Sequence, residues 1–197
     1  MTYVKASVRR PAGNPGNGIQ PKDQLVIYDV DDILSFPPRN DAGVVIEEDI
    51  VMKAGRYAIG IYLTPGTAKI SSNSDGETDA EGYTPSIKFN HPGNEQEIRE
   101  FKTNWLSKKC IVVLRYCSGK PADLIGTPCN PCKLSVSYTG SNESNTNELT
   151  FTQISKGDDI AIYRGTDTLE EPVAVVEAGA TDIDYQTDGQ YQLSAGA

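Results

Sequence analysis

Few residues of this chain have the type and spacing that chemistry needs. Its four cysteines are Cys110, Cys117, Cys129 and Cys132, and Cys129-Asn130-Pro131-Cys132 has the C-x-x-C spacing shared by redox and zinc motifs. A redox pair opens a helix after a strand, whereas here a β-type stretch follows. A Cys₄ zinc site needs a second close pair. Cys110 and Cys117 instead stand seven apart across Ile111–Tyr116, on opposite faces of a strand. The expectation is reduced, structural thiols, with the free, bridged and metal-bound forms undecided by spacing alone.

Nucleophilic catalysis has little to work with. The single histidine, His91, stands before Pro92 with no serine or cysteine motif to serve. Gly13, Gly16 and Gly18 lack the strand and helix that turn such glycines into a phosphate loop. Asn73, Asp75, Glu77, Asp79 and Glu81 alternate and offer hard oxygen ligands for calcium. An EF-hand frame on them puts Ser71 first and Gly82 last, so both anchoring carboxylates are missing. The reading is a solvated acidic loop. Carboxylate pairs for glycoside hydrolysis lack an aromatic platform, since Trp105 is the one tryptophan and lies on a helix's core face. No catalytic site, metal or cofactor is expected, and the chain is read as a non-enzyme.

Composition bounds the remaining classes. The 197 residues carry 27 acidic and 18 basic side chains, a formal charge of −9. That balance opposes a basic groove gripping nucleic acid, because phosphate contacts dominate such binding. No run approaches a membrane span, and the N-terminus lacks the apolar core of a signal peptide, so cytosolic synthesis without membrane contact is expected. Glycine (18) and proline (12) are abundant, which suits a turn-rich β protein.

Periodicity supplies the elements. Residues 1–24 read as an irregular N-terminal arm. Leu25–Tyr28 is an apolar strand. Val44–Ile46, Ile50–Met52 and the alternating Arg56–Leu63 follow, and Gly55 predicts a hairpin between the last two. Ser71–Thr84 reads as a long polar loop, a length that is usually functional or ordered by a partner. One helix is predicted over 95–107, capped by Asn94 with Glu97 completing a capping box. Ile98, Phe101 and Trp105 share its core face. Cys110–Tyr116 is nearly continuously apolar and predicts a strand buried on both faces. Ala122–Ile125, Leu134–Tyr138, Leu149–Thr152 and Ile160–Tyr163 follow as strands. Thr139–Asn147 and Gly157-Asp158 are read as hairpin connections. Val173–Val176 adds a strand before a polar tail. The expected fold is mainly β, a β-sandwich or half-barrel with one flanking helix. The expected parts are the arm at 1–24, the β-sandwich at 25–165, and a strand and tail at 166–197.

This layout resembles the phage tail tube proteins, which include the inner tubes of contractile injection systems. The resemblance rests on the hairpin at about Val44–Leu63, the loop Ser71–Thr84, the helix after Pro92-Gly93-Asn94, and the closing hairpin Leu134–Tyr163. It also rests on the late strand Asp159–Gly165 with its Tyr163-Arg164-Gly165 ending. It implies a virion structural subunit, made in the host bacterial cytoplasm. Copies would join edge to edge into hexameric rings stacked as a tube, contacting other tail proteins. By that resemblance Asn73, Asp75, Glu77, Asp79 and Glu81 belong to a loop reaching the adjacent ring. Glu47, Glu48 and Asp49 are candidates for an acidic lumen that repels DNA in transit. The alternatives are a head–tail connector, tail terminator or capsid decoration protein, or a glycan- or calcium-binding β-sandwich module.

Overall fold

A computed structural model describes residues 5–13, 16–117 and 119–169. The expected Val173–Val176 strand and the tail lie outside the described residues. Among the described residues the fold is mainly β with one α-helix. Its strands are β1 (Pro21–Asp29), β2 (Ile33–Ser35), β3 (Val45–Ile46), β4 (Val51–Met52), β5 (Ile59–Tyr62), β6 (Lys69–Asp75) and β7 (Gly82–Pro92). Helix α1 (Gln96–Trp105) follows, then β8 (Cys110–Tyr116), β9 (Ala122–Ile125), β10 (Cys132–Gly140), β11 (Asn145–Gln153) and β12 (Ala161–Tyr163).

Strand β8 organises the molecule. Cys110, Val112 and Leu114 join one core cluster, while Ile111 and Val113 join the other. Both of its faces are buried over Cys110–Leu114, as its nearly continuous apolar run predicts. Its neighbour β1 divides in the same way, with Leu25 and Ile27 in the first core and Val26 and Tyr28 in the second. On its other side β8 pairs with β9 through residues 112–114 and with β10 only at Cys110, opposite Cys132. The sheet branches there. One branch runs β9–β12–β3 and ends in a parallel pair; the other runs β10–β11–β7–β6, antiparallel throughout.

Several expected local pairings give way to long-range ones. The Val44–Leu63 hairpin does not form. Strand β4 pairs with β2, β5 pairs with β1, and β3 pairs with β12. Burial of Ile59 and Ile61 against the first core outweighs the turn signal at Gly55. The true long hairpin is β6–β7, seven consecutive pairs from Lys69↔Lys88 to Asp75↔Gly82. The presumed loop Ser71–Thr84 is thus mostly strand, with only residues 76–81 as its turn. Gly76 makes that turn possible: its φ is +142°, and a Cβ there would meet the Ala80 carbonyl oxygen at 2.3 Å. The arm also ends sooner than expected, since β1 begins at Pro21.

The β10–β11 hairpin forms as expected, although most of Thr139–Asn147 is strand around a tight turn. Gly157-Asp158 does not close a further hairpin. Gly157 bridges Tyr83 through two backbone hydrogen bonds, and β12 departs to β9. In β12 the buried residues are Ala161 and Tyr163, while Ile162 faces out. The fold also passes the expected boundary at 165, for Leu169 packs on the second core beside Ala58.

Helix α1 is shorter than predicted and uncapped by Asn94. Its N-cap is Glu95, which makes no side-chain cap bond. Asn94 Oδ1 instead accepts from Lys102 Nζ at 3.0 Å, and Lys102 also donates to Asn147 Oδ1 at 2.6 Å. The core face is as predicted: Ile98 is buried, and Phe101 and Trp105 pack against the first core with their rings stacked at 5.7 Å.

Candidate assembly surface

The four-stranded layer β10–β11–β7–β6 has one apolar and one polar face. The apolar face carries Leu134, Leu149, Phe151, Ile87 and Phe89 into the first core. The polar face is set by the alternating register. One row across it reads Lys133, Thr152, Ser86 and Ser71; the next reads Ser135, Thr150, Lys88 and Lys69. Its charged groups are Lys69, Lys88 and Lys133 against Asp75 and Glu148, with Lys88 and Glu148 paired at 2.7 Å. The chain's negative charge is therefore carried elsewhere.

Both margins of this layer are open. Pro85 has no N–H, so its pair with Ser72 lacks hydrogen bonds and the flanking pairs make them. The backbone groups of Ile70, Ser72 and Ser74 consequently point away from β7. At the other margin, Ser141 N–H donates to Ser144 O at 2.8 Å in the β10–β11 turn. Alternation from that pair turns the backbone of Leu134, Val136 and Tyr138 away from β11. Among the described residues, none of these outward groups has a backbone partner. Both registers run without a bulge, and neither strand contains proline.

The remaining margins differ. Strand β3 is only two residues long, and Asn40 occupies its outer side: Asn40 Oδ1 accepts from Val44 and Val45 N–H, and Asn40 N–H donates to Val45 O. At β5, Ala58 N–H donates to Thr168 O.

The expected contact residues fall on a strand end and the turn that follows it. Asn73 and Asp75 belong to β6, while Glu77, Asp79 and Glu81 lie in or beside the turn. Asp75 accepts from Lys156 at 3.2 Å and from Gly76 N–H at 2.8 Å, which hold its carboxyl below the usual range. Among the described residues no group of three His, Cys, Asp or Glu side chains is placed to hold a metal. Glu47, Glu48 and Asp49 do not sit on a hairpin; they connect β3 to β4 beside the second core. Glu47 pairs with Arg164 at 2.9 Å, and Asp49 accepts from Thr166 N–H at 2.7 Å. Compared with protein-family models, curated proteins and solved structures, the chain finds no match in any of the three.

The thiols and the histidine complete the inventory. Cys110 and Cys132 are buried directly opposite each other, and both are free. Burial pushes the Cys110 thiol up to about 12 and raises that of Cys132 further. Cys117 and Cys129 are exposed. His91 lies beside Tyr62, ring centroids 6.2 Å apart, and desolvation lowers its pKa.

Sequence reasoning missed the two open margins. The signal was present in Pro85, which fixes the hydrogen-bond phase of β6, but it has meaning only once the strands are paired.

Proposed function

We propose that this chain is a self-assembling structural subunit that joins copies of itself edge to edge, in the manner of a phage tail tube protein. The observation that carries the reading is the pair of long, regular margins, free of bulges and proline, on one four-stranded layer. Soluble β proteins ordinarily blunt such edges with bulges, prolines or coverage, because they template pairing with other chains.

An even number of strands makes closure natural. In an antiparallel layer of four, the two margins run in opposite directions. Cyclic rotation then brings β6 of one copy against β10 of the next as antiparallel partners. A ring of six would close about 24 strands and leave no edge. The apolar face is occupied by the core, so the polar face lines the bore. That lining is hydroxyl-rich and close to neutral. It differs from the acidic lumen expected of Glu47, Glu48 and Asp49, because each copy sets Lys69, Lys88 and Lys133 against Asp75 and Glu148 among hydroxyl and amide side chains.

Negative-stain imaging of concentrated protein at near-physiological salt tests this reading. Rings or tubes of constant diameter are expected. A protein that stays monomeric under those conditions is not a tube subunit.

A further inference from the structure

Resting on that reading, we infer the register of the seam: β6 of one copy pairs antiparallel with β10 of the next so that Ser72 stands opposite Val136. Hydrogen-bonded pairs require outward backbone on both strands, so Ile70, Ser72 and Ser74 must face Leu134, Val136 and Tyr138 in some order. The start of β10 is blocked, because Cys132 already pairs with Cys110 of β8. Only one register lays the whole open span of β6 on the open span of β10 next to that block. It sets Ile70 opposite Tyr138, Ser72 opposite Val136 and Ser74 opposite Leu134.

Two independent features favour this register. The first is geometry. Within one copy, Ser71 is level with Lys133 across the layer. The seam pairs Ser71 with Ser137, a slip of about four residues for every four strands, or about one per strand. Closed barrels with that ratio of shear to strand number, such as the eight-stranded barrel of shear 8, tilt their strands by about 36°, within the usual range. A seam without slip would leave the strands parallel to the axis.

The second is charge. On the polar face the same register sets Asp75 opposite Lys133, Asn73 opposite Ser135 and Lys69 opposite Thr139. The Asp75 carboxylate, which Lys156 already pairs within its own chain, meets the Lys133 ammonium of the other margin, and no like charges stand directly opposite each other across the seam. Ser72 Oγ, shielded from solvent and without a hydrogen-bond partner among the described residues, then lies beside the carbonyls of an incoming strand.

Engineered disulfides test it on the full chain, in a background where Cys117 and Cys129 are serine. Ser71 and Ser137 would form a non-hydrogen-bonded pair, Cα atoms about 4.5 Å apart, within disulfide range. Inside one chain β6 and β10 are three strand spacings apart, roughly 14 Å, so no internal bridge can form. Sedimentation before oxidation reports whether copies assemble at all; failure there removes the tube reading and the seam with it. In assembled protein, mild oxidation of Ser71→Cys/Ser137→Cys should give a ladder of covalent multimers on a non-reducing gel. Ser71→Cys/Ser135→Cys should give none. Assembly with the ladder in the shifted pair, with no ladder in either pair, or with dimers from Ser71→Cys alone overturns the register while leaving self-assembly standing.

Discussion

Tyr28 donates its hydroxyl to Asp167 Oδ1 at 2.6 Å, joining the first strand to the last described segment. Arg115 Nε donates to the other carboxylate oxygen, and Arg115 Nη2 donates to Gly165 O at 2.7 Å. The Asp167 side chain is only 6% exposed, so this carboxylate depends on both partners. Burial, then the Asp167 charge, raises the Tyr28 pKa far above that of free tyrosine. The cluster straps residues 164–169 over the second core.

Removing the carboxylate leaves Arg115 without its charge partner. Asp167→Ala should cost about 3 kcal/mol of unfolding free energy, and Tyr28→Phe about 1.5 kcal/mol. Urea denaturation measures both. Equal stability of Asp167→Ala and wild type would show that the strap does not hold the core.

The two cores make separate demands on β8. Ile111→Ala, in the second core, and Leu114→Ala, in the first, should each cost about 2–5 kcal/mol. Ser135→Ala on the polar face should change stability by less than about 0.5 kcal/mol. Denaturant midpoints compare the three directly, and tolerance of either β8 substitution would contradict burial on both sides.

The legibility of the fold follows this division. Strand β8 could be read because a wall between two cores has no polar face, and β10 and β11 because they alternate against one core. Strand β6 could not. Its run Ser71-Ser72-Asn73-Ser74-Asp75 is polar on both faces, since only Ile70 reaches the core, and a marginal strand shows no period. The β1–β5 and β2–β4 pairings were illegible for another reason. They join residues distant in sequence, and the local turn at Gly55 suggested a nearer partner. The sites follow the same rule. The core face of α1 was readable from spacing. Asn94 became a partner of Lys102 because Asn147, far along the chain, draws that lysine to it.

Thiol reactivity should divide the cysteines in two. At pH 8 an aromatic disulfide reagent should titrate Cys117 and Cys129 in the native protein. Cys110 and Cys132 should react only after denaturation, because burial keeps them protonated and shielded. Four fast equivalents would contradict the packing at the branch of the sheet.

His91 should give the stability a pH slope. Its folded pKa lies below the ordinary 6.5, chiefly through desolvation. Between those values the unfolded chain binds the extra proton, so stability is full above about pH 6.5 and falls as pH drops below it. Thermal unfolding from pH 7.5 to 5 should show that decline, and His91→Gln should flatten it. An unchanged slope in the variant would assign it to carboxylates.

The central claim is that the open backbone of β6 joins copies together, and Ser72→Pro tests it most directly. The Ser72 N–H points away from β7, so proline removes an outward donor while sparing the β6–β7 ladder. Sedimentation velocity across a concentration series should show a discrete closed oligomer for wild type and a folded monomer, with unchanged far-ultraviolet dichroism, for Ser72→Pro. A wild type that stays monomeric throughout, or a variant that assembles equally well, would contradict the account.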